Sequence, residues 1–473
     1  MNEYNIVSSI PSCVWTNGVA INDRIDSMYY RSSSIKDYQK IKKFSKIRRV
    51  SNYFDVSKLS GFEYTDYFTE ESLKSGTVIA LTSQNVMENQ INFDNIIKIP
   101  FEIHNSLERS KIYPNDILLS YTGQYRRACT APQNIELHLG PNICRLRSTK
   151  LIDVHYVSTF LNCRYGQSSL DREKTMSAQP TVNMSRIRDI LLPIPSSEIQ
   201  KYIGDKVRKA EELREEAKRL KKEAEEILND ELEFKTLEEK LNKCKEKFLW
   251  IKPKDFDNRM DGEFYKIDFI INNEHIDTLK NKGVQVLDLK DIINKGSYGI
   301  LPSSDDYGKG EVVLLRSTNI KEFLIDNSEV IKVPNVYYKE KVQVNQGDIL
   351  LEIKGQCYSG AIATELKEKT IVNGSIYKFS VKKGYDNHYV LAYLLSKSGQ
   401  LQKQQNLANS IISYLSLECI NNLKVPIISS GKQKLIGEKY RTYVEQINKS
   451  KQLIQEAKND VGDLIEGNFS MKE

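Results

Sequence analysis

Apolar positions along the chain follow two patterns. Short β-branched or aliphatic runs, broken by Gly, Asn and Pro, recur twice: VIAL, NIIKI and DILLS between 78 and 120, then VVLL, SEVIKV and DILLEI between 312 and 353. They predict short strands of a curved, mostly antiparallel sheet. A small helix is expected after His155 and again after His388, with Val157, Phe160 and Leu161 in one matching Val390, Tyr393 and Leu394 in the other. Each set closes with a Pro-punctuated strand (ILLPIP, LKVPII) and a Ser-Ser pair, with Ser197 and Ser430 as expected helix N-caps. Then the period changes. Ile203, Val207, Ala210, Leu213, Ala217, Leu220, Ala224 and Ile227 keep a 3/4 spacing, and Ile436, Tyr440, Tyr443, Ile447, Ile454, Ala457, Val461 and Leu464 form a second stripe. Both read as coiled-coil seams. The first continues past an interruption at Glu231 through Phe234, Leu237, Leu241, Cys244 and Phe248, with Asn229-Asp230 the expected break. Unbroken, residues 198–248 would span ~75 Å. Neither stripe is stable alone, so the two helices are expected to pair antiparallel.

The chain is a tandem duplication. Trp15…Arg24-Ile25-Asp26…Tyr30 returns as Trp250…Arg259-Met260-Asp261…Tyr265, shifted by 235. Residues 78–100 return at 312–334 with nine of 23 positions identical. DILLSYTGQ, HYVSTFLNCRYGQ and PIPSSEIQKYIGDK return 232 or 233 positions later. Five ordered windows at a nearly constant shift define a repeat. The expected layout is a first domain at 1–197, a helix and linker at 198–248, a second domain at 249–431 and a closing helix at 432–473. The fold class is α+β.

Composition narrows the class. With 473 residues, 40% hydrophobic and 28% charged, the chain is ordinary for a globular protein of two to four domains. No apolar run approaches a membrane span, and the first residues lack a signal peptide's basic and apolar regions, so a cytoplasmic protein is expected. Seven dispersed Cys without a CxxC pair, and five His without metal-ligand spacing, predict reduced thiols and no metal site. The net charge of +6 is uneven: residues 1–197 hold 24 basic and 19 acidic side chains. Residues 36–49 alone hold seven bases against one acid, and Lys40, Lys42, Lys43, Lys46, Arg48 and Arg49 are candidate phosphate contacts.

Two similar domains on a helical spacer suit a target with two parts, such as duplex DNA with half-sites about one helical turn (~34 Å) apart. Because the copies differ, the target would be asymmetric. At this point the chain resembles the specificity (S) subunits of type I restriction–modification systems, over nearly its whole length. The resemblance rests on Arg24–Tyr30 and Arg259–Tyr265, on TSQNV (82–86) and RSTNI (316–320), on Asn115–Leu119 and Gly347–Leu351, and on the Pro-x-(Pro/Ile)-Ser-Ser…Gln start of each long helix. Asn115 replaces the usual Gly before Asp, and the second helix start lacks its second Pro. The resemblance implies two target-recognition domains, an antiparallel coiled-coil spacer, double-stranded DNA as target, two methyltransferase subunits as partners, and restriction subunits beyond them. S-adenosylmethionine, and ATP and Mg²⁺ for restriction, would sit on those partners, with no cofactor in this chain.

No catalytic motif stands against that reading. The (Asn/Asp)-Pro-Pro-(Tyr/Phe) motif of amino-methyltransferases and the P-loop are both missing. Asp348…Glu352-Ile353-Lys354 has the letters of a metal-dependent nuclease, but its acids lie ~13 Å apart on one strand, and the first copy has Ser120 in place of Glu352. Readout residues are sought where the copies differ at loops. One set is Ser120, Tyr121, Thr122, Gln124, Tyr125, Arg126 and Arg127, against Lys354, Gln356, Tyr358 and Ser359. The other is Thr82 and Gln84 against Arg316 and Thr318. Arg24–Asp26 and Arg259–Asp261 occur in both copies and are expected to be structural or partner-facing, and Trp15 and Trp250 to be core. The alternative function is a non-catalytic scaffold or decoy that binds methyltransferase subunits without specific DNA recognition.

Overall fold

The computed structural model describes residues 4–9, 12–16, 21, 24, 26–122, 126–175, 178–244, 261–364, 366–407 and 413–471. The chain forms two compact units, 1–214 with 448–473, and 215–447. Each long helix contributes one half to each unit.

The first unit has a four-stranded sheet ordered Ala128–Thr130, Ile117–Ser120, Ile143–Ser148, Phe54–Lys58, antiparallel throughout. A second sheet runs Ile97–Ile99, Val78–Leu81, Leu137–Leu139, Lys111–Ile112. In it Val78–Leu81 and Leu137–Leu139 are parallel. The second unit repeats this order. Its main sheet is Gly360–Ile362, Ile349–Glu352, Ile376–Val381, Ile293–Tyr298. Its smaller sheet is Ile331–Val333, Val312–Leu315, Thr370–Val372, again with one parallel pair. Among the described residues the two sheets of each copy are therefore antiparallel except for one parallel strand pair per copy. Ile117, Leu119, Leu146 and Val56 pack under the helix Val154–Asn162 through Val157, Phe160 and Leu161. Their counterparts Ile349, Leu351 and Phe379 pack with Val390, Tyr393 and Leu394 of Asn387–Leu395.

The turn before each central strand needs a left-handed residue. Asn115 holds φ 66° and Gly347 φ 87°. Asn tolerates that region better than other side chains, which explains the Asn-for-Gly exchange. Asp116 then accepts the Tyr113 N–H at 2.8 Å, and Asp348 accepts the Asn345 N–H at 2.9 Å.

The long helices are Ser197–Glu231 and Ser430–Glu466. Their caps lie one residue earlier than expected: the Ser196 and Ser429 hydroxyls accept the N–H groups of Ile199 and Lys432. Within the first unit Ile203, Val207 and Ala210 share a core with Ile454, Ala457, Val461 and Ile465, and Lys206 pairs with Asp460 at 2.5 Å. Within the second, Ala224 and Leu228 share a core with Ile436, Tyr440 and Val444, and Lys439 pairs with Glu223. The helices thus pair antiparallel.

The seam itself needs correcting. Leu213, Leu220 and Ile227 are half-buried, and the row of buried positions runs through Arg214, Ala217, Ala224 and Leu228, with half-buried Lys221 completing its 3/4 spacing. Buried Ser450 fills the gap in the second stripe. The first helix ends at Glu231, just past the expected break. Glu233 turns left-handed (φ 51°), and the freed Leu232 carbonyl accepts from His275 Nε2 at 2.8 Å before Phe234–Lys243 begins. Trp15 is 70% exposed and is not core. Trp250 and Arg259 lie outside the described residues.

Candidate nucleic-acid interface

Strand directions bring the two variable sets of each copy to one end of the sheets. In the first unit, Val78–Leu81 delivers Thr82. The parallel strand Leu137–Leu139 delivers the Gly140–Asn142 turn beside it, where the Gly140 N–H donates to the Leu81 carbonyl at 2.7 Å. Gly140 cannot carry a side chain, because a Cβ would lie 2.5 Å from that carbonyl oxygen. The Tyr121 N–H donates to the Asn142 carbonyl, so the loop after Ile117–Ser120 is the next neighbour. Lys58, at the end of Phe54–Lys58, holds its ammonium 5.3 Å from the Tyr121 ring centre. The same logic in the second unit joins Arg316 to the Asn373–Ser375 turn (Asn373 N–H to Leu315 carbonyl, 2.9 Å). It joins that turn in turn to the Ile353 loop (Ile353 N–H to Ser375 carbonyl, 2.9 Å).

The loops are held by one set of clamps. Asn85 accepts the Thr82 N–H and donates to the Asn92 and Asp94 carbonyls. Asn319 accepts the Arg316 N–H and donates to the Asp326 and Glu329 carbonyls. Gln167 Nε2 donates to the Arg126 carbonyl, and Gln400 Nε2 to its counterpart on Tyr358. The scaffold is therefore common and the outward side chains differ.

The candidates take distinct places on this frame. Gln84 and Thr318 are exposed, and Thr82 and Arg316 are half-buried. Ser120 is buried, and its hydroxyl accepts the Arg127 N–H; Glu352, its counterpart, accepts the Ser359 N–H at 3.1 Å. Glu352 thus closes a loop, while Asp348 pairs with Lys378 at 3.3 Å. Tyr121 is half-buried, and burial pushes its hydroxyl up to about 12. Thr122 meets the Thr181 hydroxyl at 3.1 Å. Arg126 lies 3.5 Å from Asp171, and Arg127 Nη1 lies 3.1 Å from Met87 sulfur. Gln124 and Tyr125 lie outside the described residues. Lys354 and Gln356 are exposed, Ser359 is half-buried, and the Tyr358 hydroxyl accepts from Gln404 at 2.9 Å.

The basic segment lies elsewhere. Lys46, Arg48 and Arg49 precede Phe54–Lys58, at the end of that strand away from Tyr121, ~17 Å off by strand length. Arg49 pairs with Asp189 at 2.9 Å, and Lys40 with Glu466 at 2.8 Å. Lys42 and Lys43 are exposed at the end of the helix Ser32–Lys42.

Several residues that hold this frame escaped the sequence reading. Asp153 caps Val154–Asn162 and accepts from Arg208 at 2.8 Å, while Gln200 accepts the Asp153 N–H. Asp386, Arg441 and Gln433 repeat this arrangement 233 positions on. Gly204 and Gly437 pack directly on the two aspartates. The signal was available: Gln-x-x-x-Gly-x-x-x-Arg stands in both helices. Arg24 is structural, pairing with Asp26 at 2.7 Å and donating to the Lys174 carbonyl. A buried lysine, Lys403, also went unseen. Its ammonium donates to the Cys357 carbonyl at 2.7 Å, and burial lowers it to about 7. Among the described residues no group of three or more His, Cys, Asp or Glu could hold a metal ion.

Residues 281–459 match the family model described as the type I restriction modification DNA specificity domain. The chain is 25% identical over 130 residues to the type I restriction enzyme EcoBI specificity subunit of Escherichia coli, an alignment spanning 27% of each protein. Among solved structures, a type I restriction–modification S subunit from M. genitalium aligns over 91% of this chain and 98% of its own, at 11% identity and TM-score 0.46. The HsdS subunit from Thermoanaerobacter tengcongensis aligns over 90% and 97%, at 12% and 0.28. Within this chain it is thus residues 281–459 that match the type I restriction modification DNA specificity domain.

Proposed function

We propose that the chain is the non-catalytic specificity subunit of a type I restriction–modification system. Each recognition domain (1–197 and 249–431) reads one half of an asymmetric two-part duplex site, and the helical segments 198–248 and 432–473 act as spacer. The chain directs two methyltransferase subunits, and restriction subunits with them, to that site in the cytoplasm. S-adenosylmethionine, ATP and Mg²⁺ belong to those partners. The observation that carries the reading is the pair of loop clusters: one scaffold, clamped by Asn85 and Gln167 or Asn319 and Gln400, presents different side chains in each unit. That is the chemistry of sequence readout, where a constant frame positions and a few polar side chains reach base edges. The basic segment at 36–49, including Lys40, Lys42, Lys43, Lys46, Arg48 and Arg49, then serves phosphate binding away from the reading loops.

Long-read methylation mapping tests this in cells carrying the cognate methyltransferase, with and without the chain. A two-part asymmetric motif with a fixed gap should lose methylation on deletion. Exchange of residues 258–425 for those of a relative should change one half-site only. If the methyltransferase binds the chain and no motif disappears, the reading fails and a scaffold role replaces it.

A further inference from the structure

Arg316 is anomalous within its loop. Its first-copy counterpart, Thr82, is satisfied locally, its hydroxyl donating to Asn85 Oδ1 at 3.0 Å. Arg316 keeps only the backbone half of that arrangement, with its N–H donating to Asn319 Oδ1. Its Nε is buried without a hydrogen-bond partner, and among the described residues the guanidinium has no ion-pair partner. An unmet buried donor is costly, and more so on a charged group. The position is set by the fold: Arg316 leaves the end of Val312–Leu315 beside the Asn373–Ser375 turn and the Ile353 loop. Exposed Leu301 packs on Gly374 of that turn, and Thr318 is exposed two residues on.

We infer that Arg316 reads a guanine in the half-site of the second domain, as a specificity-determining residue. This rests on the proposed function and goes beyond it by assigning one residue to one base. Two acceptors on one edge, O6 and N7, match a guanidinium fork, and no other base offers that pair in the major groove. Turning outward to the base edge would release Nε from its unmet buried position and give the guanidinium acceptors. Thr82 has neither the charge nor the reach, so the corresponding place in the first half-site carries no Arg–guanine contact.

The experiment selects duplexes from a randomised library with the full chain assembled with its methyltransferase subunits. Wild type is compared with Arg316→Met, which keeps the apolar stem, and with Arg316→Lys. The wild-type motif should hold a G·C pair in one half-site. Arg316→Met should lose preference at that position alone and weaken cognate binding about 10- to 100-fold. Arg316→Lys should recover only part of it. Melting of free Arg316→Met should match or exceed wild type, because no internal contact is lost. The inference is overturned if Arg316→Met keeps the G·C preference, if binding weakens equally for all sequences and Lys restores it fully (a phosphate contact), or if the free variant melts several degrees lower (a structural role). A wild-type complex that selects no motif would instead sink the proposed function.

Discussion

Replacing Gly437 by alanine should destabilise the protein, although alanine is the better helix former. On propensity alone, Gly→Ala within a helix stabilises by about 1 kcal/mol. A Cβ at Gly437, however, would lie 2.3 Å from Asp386 Oδ1 and 2.4 Å from its Cγ. Asp386 cannot step aside cheaply. It accepts the N–H groups of His388 at 2.9 Å and Tyr389 at 3.1 Å, and Arg441 pairs with it at 2.9 Å. Giving up the cap costs about 1 kcal/mol, and forcing a methyl into a packed joint costs about 1–3 kcal/mol. The expected net loss is about 1–3 kcal/mol. Gly462 lies on the same helix with nothing within 4 Å of its Cβ position, so Gly462→Ala should stabilise by up to about 1 kcal/mol. Urea unfolding of the full chain, followed with probes that separate the two units, reads both. In an Asp386→Ala background the obstruction is gone, and Gly437→Ala should turn neutral or stabilising. Equal stabilisation by the two glycine variants, or no rescue by Asp386→Ala, would refute the steric argument.

His138 is buried with Nδ1 3.1 Å from His104 Nδ1, and burial pushes it down to about 3. Unfolded histidine takes its proton near 6.5, so stability should fall as pH drops below that value, by about 2 kcal/mol at pH 5, and His138→Asn should flatten this slope in pH-resolved melting. Lys403, held near 7 by burial, opposes folding wherever the unfolded side chain is charged. Lys403→Met should therefore raise the unfolding free energy read from urea titration at pH 7 by about 2 kcal/mol or more, with the gain shrinking toward pH 10. Asn319→Ala removes the acceptor for Arg316 N–H and the donor to Asp326 and Glu329, and should cost about 1–3 kcal/mol in the same assay. The equivalent Asn85→Ala should match it.

The repeat, the strands and the paired helices were legible because local patterns encode them. The seam was read one position off at 213 and 227, because buried Arg214 and half-buried Lys221 lie in the row of buried positions and a search for apolar spacing steps around them. Their charges are met from outside the helix: Arg214 donates to the Asn89 carbonyl at 2.7 Å, and Lys221 pairs with Glu322 at 2.6 Å. Trp15 was read as core because a large aromatic side chain usually is, and nothing local to it reveals exposure. The parallel pairs were invisible because a β-branched run does not state its direction. Yet those pairs carry Thr82 to Tyr121 and Arg316 to the Ile353 loop, so the convergence of the two variable sets could not be read from spacing.

The duplication also explains why the two halves of the chain depend on one another. Each globular domain is tied to the helix that follows it by an aspartate–arginine pair, Asp153 with Arg208 and Asp386 with Arg441. Each is tied to the other copy's helix by a glutamate after the clamp asparagine: Glu88 meets Lys458 at 2.7 Å, and Glu322 meets Lys221. The apolar share follows suit, with Ile454, Ala457 and Val461 completing the first core, and Ala224 and Leu228 the second. The exposed-side ion pairs contribute little energy by themselves. Their value is in register, because a helix slipped along its partner would separate Glu88 from Lys458 and Glu322 from Lys221. Within each unit a polar pair of this kind specifies one alignment of helix on domain where a wholly apolar contact would tolerate several.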